Sequence, residues 1–153
     1  MGMTATTALA LVLSPLPAPL VVPPSAERVV ADGPGYPCRR CLRDATAGEE
    51  LHLLSYDPWL GESPYRQPGP IFVHVSACHH DPAAGGDELP VQLTSRVLSV
   101  RAFDAQHRMT SCELTPGDEL AESAARLFAD DSAAYLHVHN AGAGCFAVRI
   151  DRA

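Results

Sequence analysis

Two short segments near the C-terminus, residues 135–140 and 145–150, most constrain what the chain can fold into. Apolar side chains recur at every second position in both segments, and the glycine-rich stretch 141–144 joins them, which predicts a β-hairpin. Because side chains alternate between the two faces of a strand, the polar residues of the first segment share one face. These residues are Tyr135, His137 and His139.

The alternation also predicts how the two strands pair. A slip of one residue would mix the polar and apolar faces, so a register that keeps the faces separate is favoured. The predicted pairs are His139 with Cys145, His137 with Ala147, and Tyr135 with Arg149. The expected result is a polar face that presents Tyr, His, Cys and Arg side chains above an apolar one.

The rest of the chain predicts an α+β fold, a single domain with a mostly antiparallel, twisted sheet, one main helix and the C-terminal hairpin. Strands are expected near 51–56, 71–75, 96–104 and 108–114. The segment Thr115-Pro116-Gly117-Asp118 predicts a helix start, with Thr115 as its N-cap. Leu120, Ala124, Leu127 and Phe128 would then form one apolar helix face. Residues 1–15 are predicted to be a poorly ordered N-terminal extension, and residues 16–153 the α+β domain, beginning with an extended segment near 16–22.

Composition excludes several classes of protein. The net charge is −7 and the 11 Lys and Arg residues form no dense run, which argues against a nucleic-acid partner. Prolines interrupt the apolar N-terminal stretch, so no membrane span is expected. The 5 cysteines have no disulfide-rich spacing, which is typical of a cytoplasmic protein with reduced thiols. The oligomeric state stays open.

Several motifs together resemble the bacterial family known as domain of unknown function 1203. The resemblance covers about residues 16–152 and implies a cytoplasmic bacterial domain, but it implies no reaction. The motifs are Tyr36-Pro37-Cys38-Arg39, Ala45 with Gly48-Glu49, Leu53-Leu54-Ser55-Tyr56, Pro64-Tyr65-Arg66, Gly69-Pro70-Ile71-Phe72-Val73-His74, Arg96 with Arg101, and His137-Val138-His139-Asn140 with Gly144-Cys145-Phe146.

The hairpin is a candidate metal site. His137 and His139 point the same way on a strand, Cys145 is predicted opposite them, and His74 or Cys38 would complete the set. Zinc accepts such nitrogen and sulfur ligands in a tetrahedron, and iron is an alternative. The competing interpretation is a half-buried polar strand whose histidines bind backbone and water.

Cys38-Arg39-Arg40-Cys41 is a second candidate. CxxC is typical of zinc binding or thiol redox chemistry. Alternatively, Cys38 is a catalytic nucleophile whose thiolate the neighbouring arginines favour, with His137 or His139 as base and Asn140 orienting it. A buried structural cysteine is the simpler interpretation. The nearby Cys78-His79-His80-Asp81 is expected to be a solvated polar loop, because adjacent residues cannot all face one ion.

Ligand-binding candidates are cations and an aromatic residue near these motifs, since guanidinium groups grip carboxylate or phosphate with two hydrogen bonds. They are Arg39, Tyr65, Arg66, Arg101 and Arg149. Surface salt bridging is the alternative for each arginine.

These motifs lead to three hypotheses, and whether the protein is an enzyme stays open. The first is a small bacterial enzyme that acts on a small polar or anionic molecule through a Cys/His/Arg pocket. The second is a non-catalytic module that binds a small molecule or a partner. The third is a structural zinc-binding domain.

Overall fold

The structure is a computed structural model that describes residues 12–14, 16, 21–59, 61–78 and 89–152. Its elements follow one another along the chain and are numbered in that order. They are β1 (Val12–Ser14), β2 (Glu27–Val30), β3 (Glu50–Tyr56), β4 (Gly69–His74), α1 (Val91–Thr94), β5 (Val97–Phe103), β6 (Met109–Pro116), a 3-10 turn (Gly117–Glu119), α2 (Leu120–Phe128), β7 (Tyr135–Asn140) and β8 (Phe146–Asp151).

The strands form two antiparallel sheets. A five-stranded sheet has the order β1-β8-β7-β5-β6, and a three-stranded sheet has the order β2-β3-β4. Helix α2 packs on one face of the larger sheet, where the predicted apolar helix face is buried against Leu98, Val100, Leu136 and Val138. A second core lies between the three-stranded sheet, the 38–45 segment and Phe146 of β8. The hairpin therefore contributes to both cores, one on each face.

The α+β class, the antiparallel pairing, the main helix and the C-terminal hairpin are confirmed. The strands divide into two sheets, and β2 is a strand that the sequence analysis did not predict. Of the predicted extension 1–15, the structure describes only 12–14, which pair with β8. Of the predicted extended segment 16–22, residues 17–20 lie outside the described chain.

The predicted N-cap is one residue too early, because helical structure begins with the 3-10 turn at Gly117 and continues into α2. Thr115 and Pro116 still belong to β6, and α2 begins at Leu120 without a side-chain cap. Gly117 is required for a different reason: its N–H donates to Arg96 O at 2.7 Å, and an added Cβ would lie 1.9 Å from Leu93 O. The glycine thus allows α1 to lie directly against the start of the 3-10 turn.

The predicted hairpin register is also wrong. The observed pairs are Tyr135 with Asp151, His137 with Arg149, and His139 with Phe146, with an irregularity between Val138 and His139. Cys145 lies in the turn, where its carbonyl accepts from Asn140 N–H at 2.9 Å and the preceding Gly144 has a φ of 81°. The observed partner of His137 is two residues further along β8 than the predicted partner. Because a shift of two residues keeps each side chain on its face, His137 and Arg149 still lie on the same face of the sheet.

The predicted polar face is largely covered. Tyr135 and His137 are only 3% and 1% exposed. Trp59 packs on His137 and Phe103 with ring centroids 4.8 and 4.5 Å apart. The proline-rich segment after β3 therefore covers the part of the hairpin that the sequence predicted to be polar and accessible.

Candidate metal centre and adjoining cavity

Cys38 and Cys41 lie in a tight turn, residues 38–43, which we call the knuckle. Cys38 N–H donates to Arg43 O at 3.1 Å, and Leu42 N–H donates to Cys38 O at 3.0 Å. Leu42 has a φ of 57°, a left-handed conformation that is uncommon for a residue other than glycine. This backbone turns both cysteine side chains to the same side of the loop.

Strand β4 supplies the other half of the cluster. The knuckle docks beside this strand, because Arg39 N–H donates to Phe72 O at 2.9 Å. His74 is the last residue of β4, and Cys78 follows four residues later. As a result, one ligand atom from each of Cys38, Cys41, His74 and Cys78 lies within 4.8 Å of the others. We call this group the Cys/His cluster.

Three of the six separations within the cluster match those around a tetrahedral zinc ion. Ligands at typical Zn–S and Zn–N lengths would lie about 3.8 Å apart for two sulfurs and about 3.6 Å apart for sulfur and nitrogen. Cys38 Sγ lies 3.8 Å from Cys78 Sγ. His74 Nδ1 lies 3.7 Å from Cys41 Sγ and 3.6 Å from Cys78 Sγ. The side chains are thus already spaced for one ion between them.

The electrostatics of the cluster favour a negative charge at Cys38. The hydrogen bond from the Cys41 thiol lowers the pKa of Cys38 to about 4, and backbone N–H groups of the knuckle and of His74 support this while burial opposes it. The same bond raises the pKa of Cys41, which retains the proton. Burial, followed by the Cys38 charge, raises the pKa of Cys78. The negative charge at Cys38 thus disfavours ionisation of the other two cysteines, and a bound cation would stabilise all three thiolates together.

A carboxylate lies behind the histidine. His74 Nε2 is 3.5 Å from Glu49 Oε2, within ion-pair distance but without a hydrogen bond between them. A proton on Nε2 would leave the Nδ1 lone pair facing the sulfurs. Metal-ligating histidines commonly have such an acceptor on the other ring nitrogen.

Arg39 connects the knuckle to the C-terminal hairpin. Its side chain is 2% exposed and donates to Phe146 O at 2.6 Å, Pro37 O at 2.6 Å and Cys145 Sγ at 3.0 Å. Burial lowers the pKa of the guanidinium. Nearly 100 residues separate the knuckle from the hairpin in sequence, and the buried side chain of Arg39 links the two. Arg39 was predicted to bind a ligand, but its side chain is buried and donates to groups of the protein itself.

His137 and His139 have different surroundings from His74. Both ring nitrogens of His137 are buried without a hydrogen-bond partner among the described residues, and burial lowers its pKa to about 3. Nδ1 of His139 forms a hydrogen bond of 3.0 Å with the carbonyl oxygen of Gly144, which accepts. Burial lowers the pKa of His139 to about 4. With Cys145 they form no convergent metal-binding group in the described part of the chain, whereas His74 lies in the Cys/His cluster. Asn140 is buried, and its Oδ1 has no hydrogen-bond partner among the described residues.

A cavity of about 310 Å³ lies between the larger sheet and the proline-rich segment. Three of the predicted ligand-binding residues line it, namely Tyr65, Arg66 and Arg101, together with His139, which was predicted to be catalytic or metal-binding. Trp59 and Phe103 form part of its wall. Arg149 is engaged elsewhere, stacked 4.1 Å from the Tyr135 ring centroid and paired with Asp151.

Sequence reasoning missed Cys78 as part of a cluster, because it treated residues 78–81 as one solvated loop. Cys78 is partly buried and contacts Cys38 and His74; residues 79–81 lie outside the described residues. The missing signal was the spacing His74-x3-Cys78 combined with Cys38-x2-Cys41, since paired ligands a few residues apart are typical of zinc sites. Trp59 and Phe103 were also missed as cavity walls.

Fold and site together define an α+β domain with a preformed Cys3His cluster and a separate aromatic cavity. The chain belongs to the family described as "Protein of unknown function (DUF1203)", whose model matches residues 35–152. The match includes the cluster, the cavity and the hairpin. No curated protein and no solved structure shows significant similarity to the chain. No helix in the described ranges is long and apolar enough to cross a membrane.

Proposed function

We propose that the protein is a zinc-binding domain in which Cys38, Cys41, His74 and Cys78 hold one Zn²⁺ ion in a structural role. The observation that carries the proposal is the spacing of the ligand atoms, which is 3.6 to 3.8 Å for three of the six pairs and at most 4.8 Å for all of them. Three sulfurs and one imidazole nitrogen are an established ligand set for structural zinc.

A structural role follows from the number of ligands and their burial. Four protein ligands fill the tetrahedron and leave no position for water or substrate. Cys38 is 0% exposed and Cys41 is 3% exposed, so the interior of the cluster is shielded from solvent. The ion would link the knuckle to the end of β4, and the knuckle in turn contacts the hairpin through Arg39.

Zinc accounts for the cluster better than a disulfide or an iron–sulfur cluster does. The sulfur atoms of Cys38 and Cys78 are 3.8 Å apart, whereas a disulfide bond is about 2.05 Å long. Iron–sulfur clusters generally use four thiolates, and the imidazole here favours a single zinc ion. All 5 cysteines are free, which supports a reducing compartment such as the cytoplasm.

Metal content of the purified, untagged protein tests the proposal directly. We expect about one zinc per chain by elemental analysis. Cys41→Ser and Cys78→Ser should each lose the metal, because each removes one ligand. Cys112→Ser is the matched control, since Cys112 is exposed on β6 and should leave the zinc content unchanged. His139→Ala should also retain the metal.

Two results would contradict the proposal. A protein without metal, whose thiols all react with a titrating reagent under native conditions, would show that the cluster holds no ion. Loss of zinc in His139→Ala together with retention in Cys78→Ser would move the site to the hairpin.

A further inference from the structure

The cavity beside the hairpin combines apolar walls with an arginine that has no ion-pair partner among the described residues. Trp59, Tyr65 and Phe103 line it, and their rings contact one another edge-on, with centroids 4.5 Å apart for Trp59 and Phe103 and 6.0 Å apart for Tyr65 and Phe103. At about 310 Å³ the cavity lies at the lower end of the range for small-molecule sites. Such walls suit a flat apolar body.

Arg101 supplies the charge. It lies on β5, lines the cavity, and its side chain contacts Ser99 Oγ at 3.1 Å. None of the ion pairs among the described residues involves Arg101. In a chain of net charge −7, a partly buried guanidinium without a carboxylate is an unusual feature that an anionic ligand would complete.

The second arginine at the cavity is already neutralised. Arg66 pairs with Asp57 Oδ2 at 2.5 Å and with Glu62 Oε1 at 2.9 Å. Among the described residues that line the cavity, Arg101 is therefore the one cation outside an ion pair, which matches a monoanion better than the nearly double negative charge of a phosphate monoester.

His139 adds an uncharged polar group. When Nδ1 carries the proton and donates to Gly144 O, 3.0 Å away, Nε2 remains as a hydrogen-bond acceptor. Repulsion by Arg101 adds to burial in lowering its pKa to about 4, so the ring stays neutral near pH 7. A neutral acceptor beside a cation suits a ligand with an N–H or O–H group in addition to its anionic group.

We propose that this cavity binds a small planar, preferably aromatic, carboxylate whose anionic group pairs with Arg101. The apolar body would contact Trp59 and Phe103. This site is separate from the Cys/His cluster, so zinc binding and carboxylate binding can be tested independently.

Trp59 makes the test direct, because it is the only tryptophan in the chain and lines the cavity. The full-length protein, as purified, is titrated with benzoate, with benzyl alcohol as the neutral analogue, and with inorganic phosphate, while tryptophan fluorescence is recorded. We expect a saturable change with benzoate and binding about ten-fold weaker or more for benzyl alcohol, which lacks the charge-assisted bond. Inorganic phosphate should neither produce the change nor compete.

Arg101→Gln keeps most of the side-chain length and removes the charge, so benzoate affinity should fall about ten-fold or more. Arg108→Gln is the matched control, because Arg108 is exposed near the start of the neighbouring strand and should bind benzoate like the wild type. Circular dichroism and thermal melting establish that both variants are folded. If Arg101→Gln does not fold, Arg101→Lys is the second variant. Lysine keeps the charge but cannot donate two parallel hydrogen bonds to a carboxylate, so its affinity should be intermediate.

Four outcomes would overturn the proposal. The first is no saturable signal with benzoate at millimolar concentrations, checked by calorimetry. The second is equal affinity for benzoate and benzyl alcohol, which would remove the role of charge. The third is unchanged affinity in a folded Arg101→Gln variant. The last is competition by inorganic phosphate as strong as that by benzoate, which would show a general anion site without recognition of the planar body.

Discussion

The Cys/His cluster and the C-terminal hairpin contain the same kinds of side chain but place them in different surroundings. In the cluster, sulfur and nitrogen atoms from a turn and a strand end converge to within 4.8 Å. In the hairpin, the i, i+2 spacing places His137 and His139 on one face of a strand. However, aromatic rings enclose His137, and His139 forms a hydrogen bond with the carbonyl of Gly144 in the turn. A shared face is therefore not enough for a metal site, because the ligand atoms must also approach one point from different directions.

Removal of the proposed zinc ion should produce the largest difference between the two regions. We expect a chelator, or Cys78→Ser, to lower the free energy of unfolding by at least about 4 kcal/mol, the contribution of a ligand present at a thousand times its Kd. His139→Ala should not reproduce that loss. Thermal melting with and without chelator measures the effect. Equal melting temperatures for the zinc-loaded and chelated protein would contradict the structural role.

Acidification should expose the hairpin's dependence on a neutral histidine. The pKa of His137 is lowered to about 3 by burial, so the folded state binds fewer protons than the unfolded state between that value and about 6.5. Its contribution to stability is therefore complete above about pH 6.5 and decreases by about 1.4 kcal/mol per pH unit as the pH falls towards 3. Denaturant unfolding between pH 7 and pH 4 measures this slope.

His137→Phe should reduce that slope, because phenylalanine does not titrate and suits the aromatic surroundings. Protonation of the cluster also destabilises the protein in acid. The contribution of His137 is therefore the difference between the slopes of the wild type and the variant. An unchanged slope in the variant would show that His137 is not the origin of the acid sensitivity.

Loss of Arg39 should weaken the connection between the two regions. Its guanidinium donates to the carbonyls of Phe146 and Pro37, and both would lose their buried partner in Arg39→Ala. We expect a loss of about 3 kcal/mol, since each unsatisfied buried group costs about 1–3 kcal/mol. Arg43→Ala is the control on the same turn, and because Arg43 is exposed the change should stay within about 0.5 kcal/mol. Comparable losses in the two variants would contradict this account.

The smallest expected effect concerns the carboxylate behind His74. Glu49→Gln keeps an oxygen that can accept from Thr46 but removes the charge near Nε2 of His74. Zinc affinity should fall about 10-fold, as is typical when an outer partner of a ligand is lost. Competition with a zinc-binding dye measures the affinity, and Glu50→Gln, one residue further along, should leave it unchanged.

The sequence predicted the elements of the fold better than their positions in space. Side-chain alternation and helical spacing are local properties, so the hairpin strands and the buried face Leu120, Ala124, Leu127 and Phe128 could be recognised directly. The register could not, because it depends on the turn that contains Cys145 and on the irregularity after Val138. The packing of Trp59 on His137 could not be predicted either, because Trp59 lies in a proline-rich segment with no periodic pattern.

The candidate site shows the same limit. Cys38 and Cys41 were recognisable as a pair, but their convergence with His74 and Cys78 depends on the docking of the knuckle beside β4. Arg101 and Tyr65 are recognisable as ligand-binding candidates from their chemistry alone. Their position on one cavity follows from the packing of a loop onto a sheet, which no spacing in the sequence specifies.

The buried bridge of Arg39 has a consequence for the order in which the chain can mature on the ribosome. All four residues of the Cys/His cluster have been synthesised by position 78, so the proposed zinc site is complete in sequence before strands β5 to β8 are made. The carbonyl of Phe146 that accepts from Arg39 is among the last groups to emerge. Until Phe146 is made, Arg39 lacks this acceptor, and completion of the final hairpin joins the half of the chain that carries the cluster to the larger sheet.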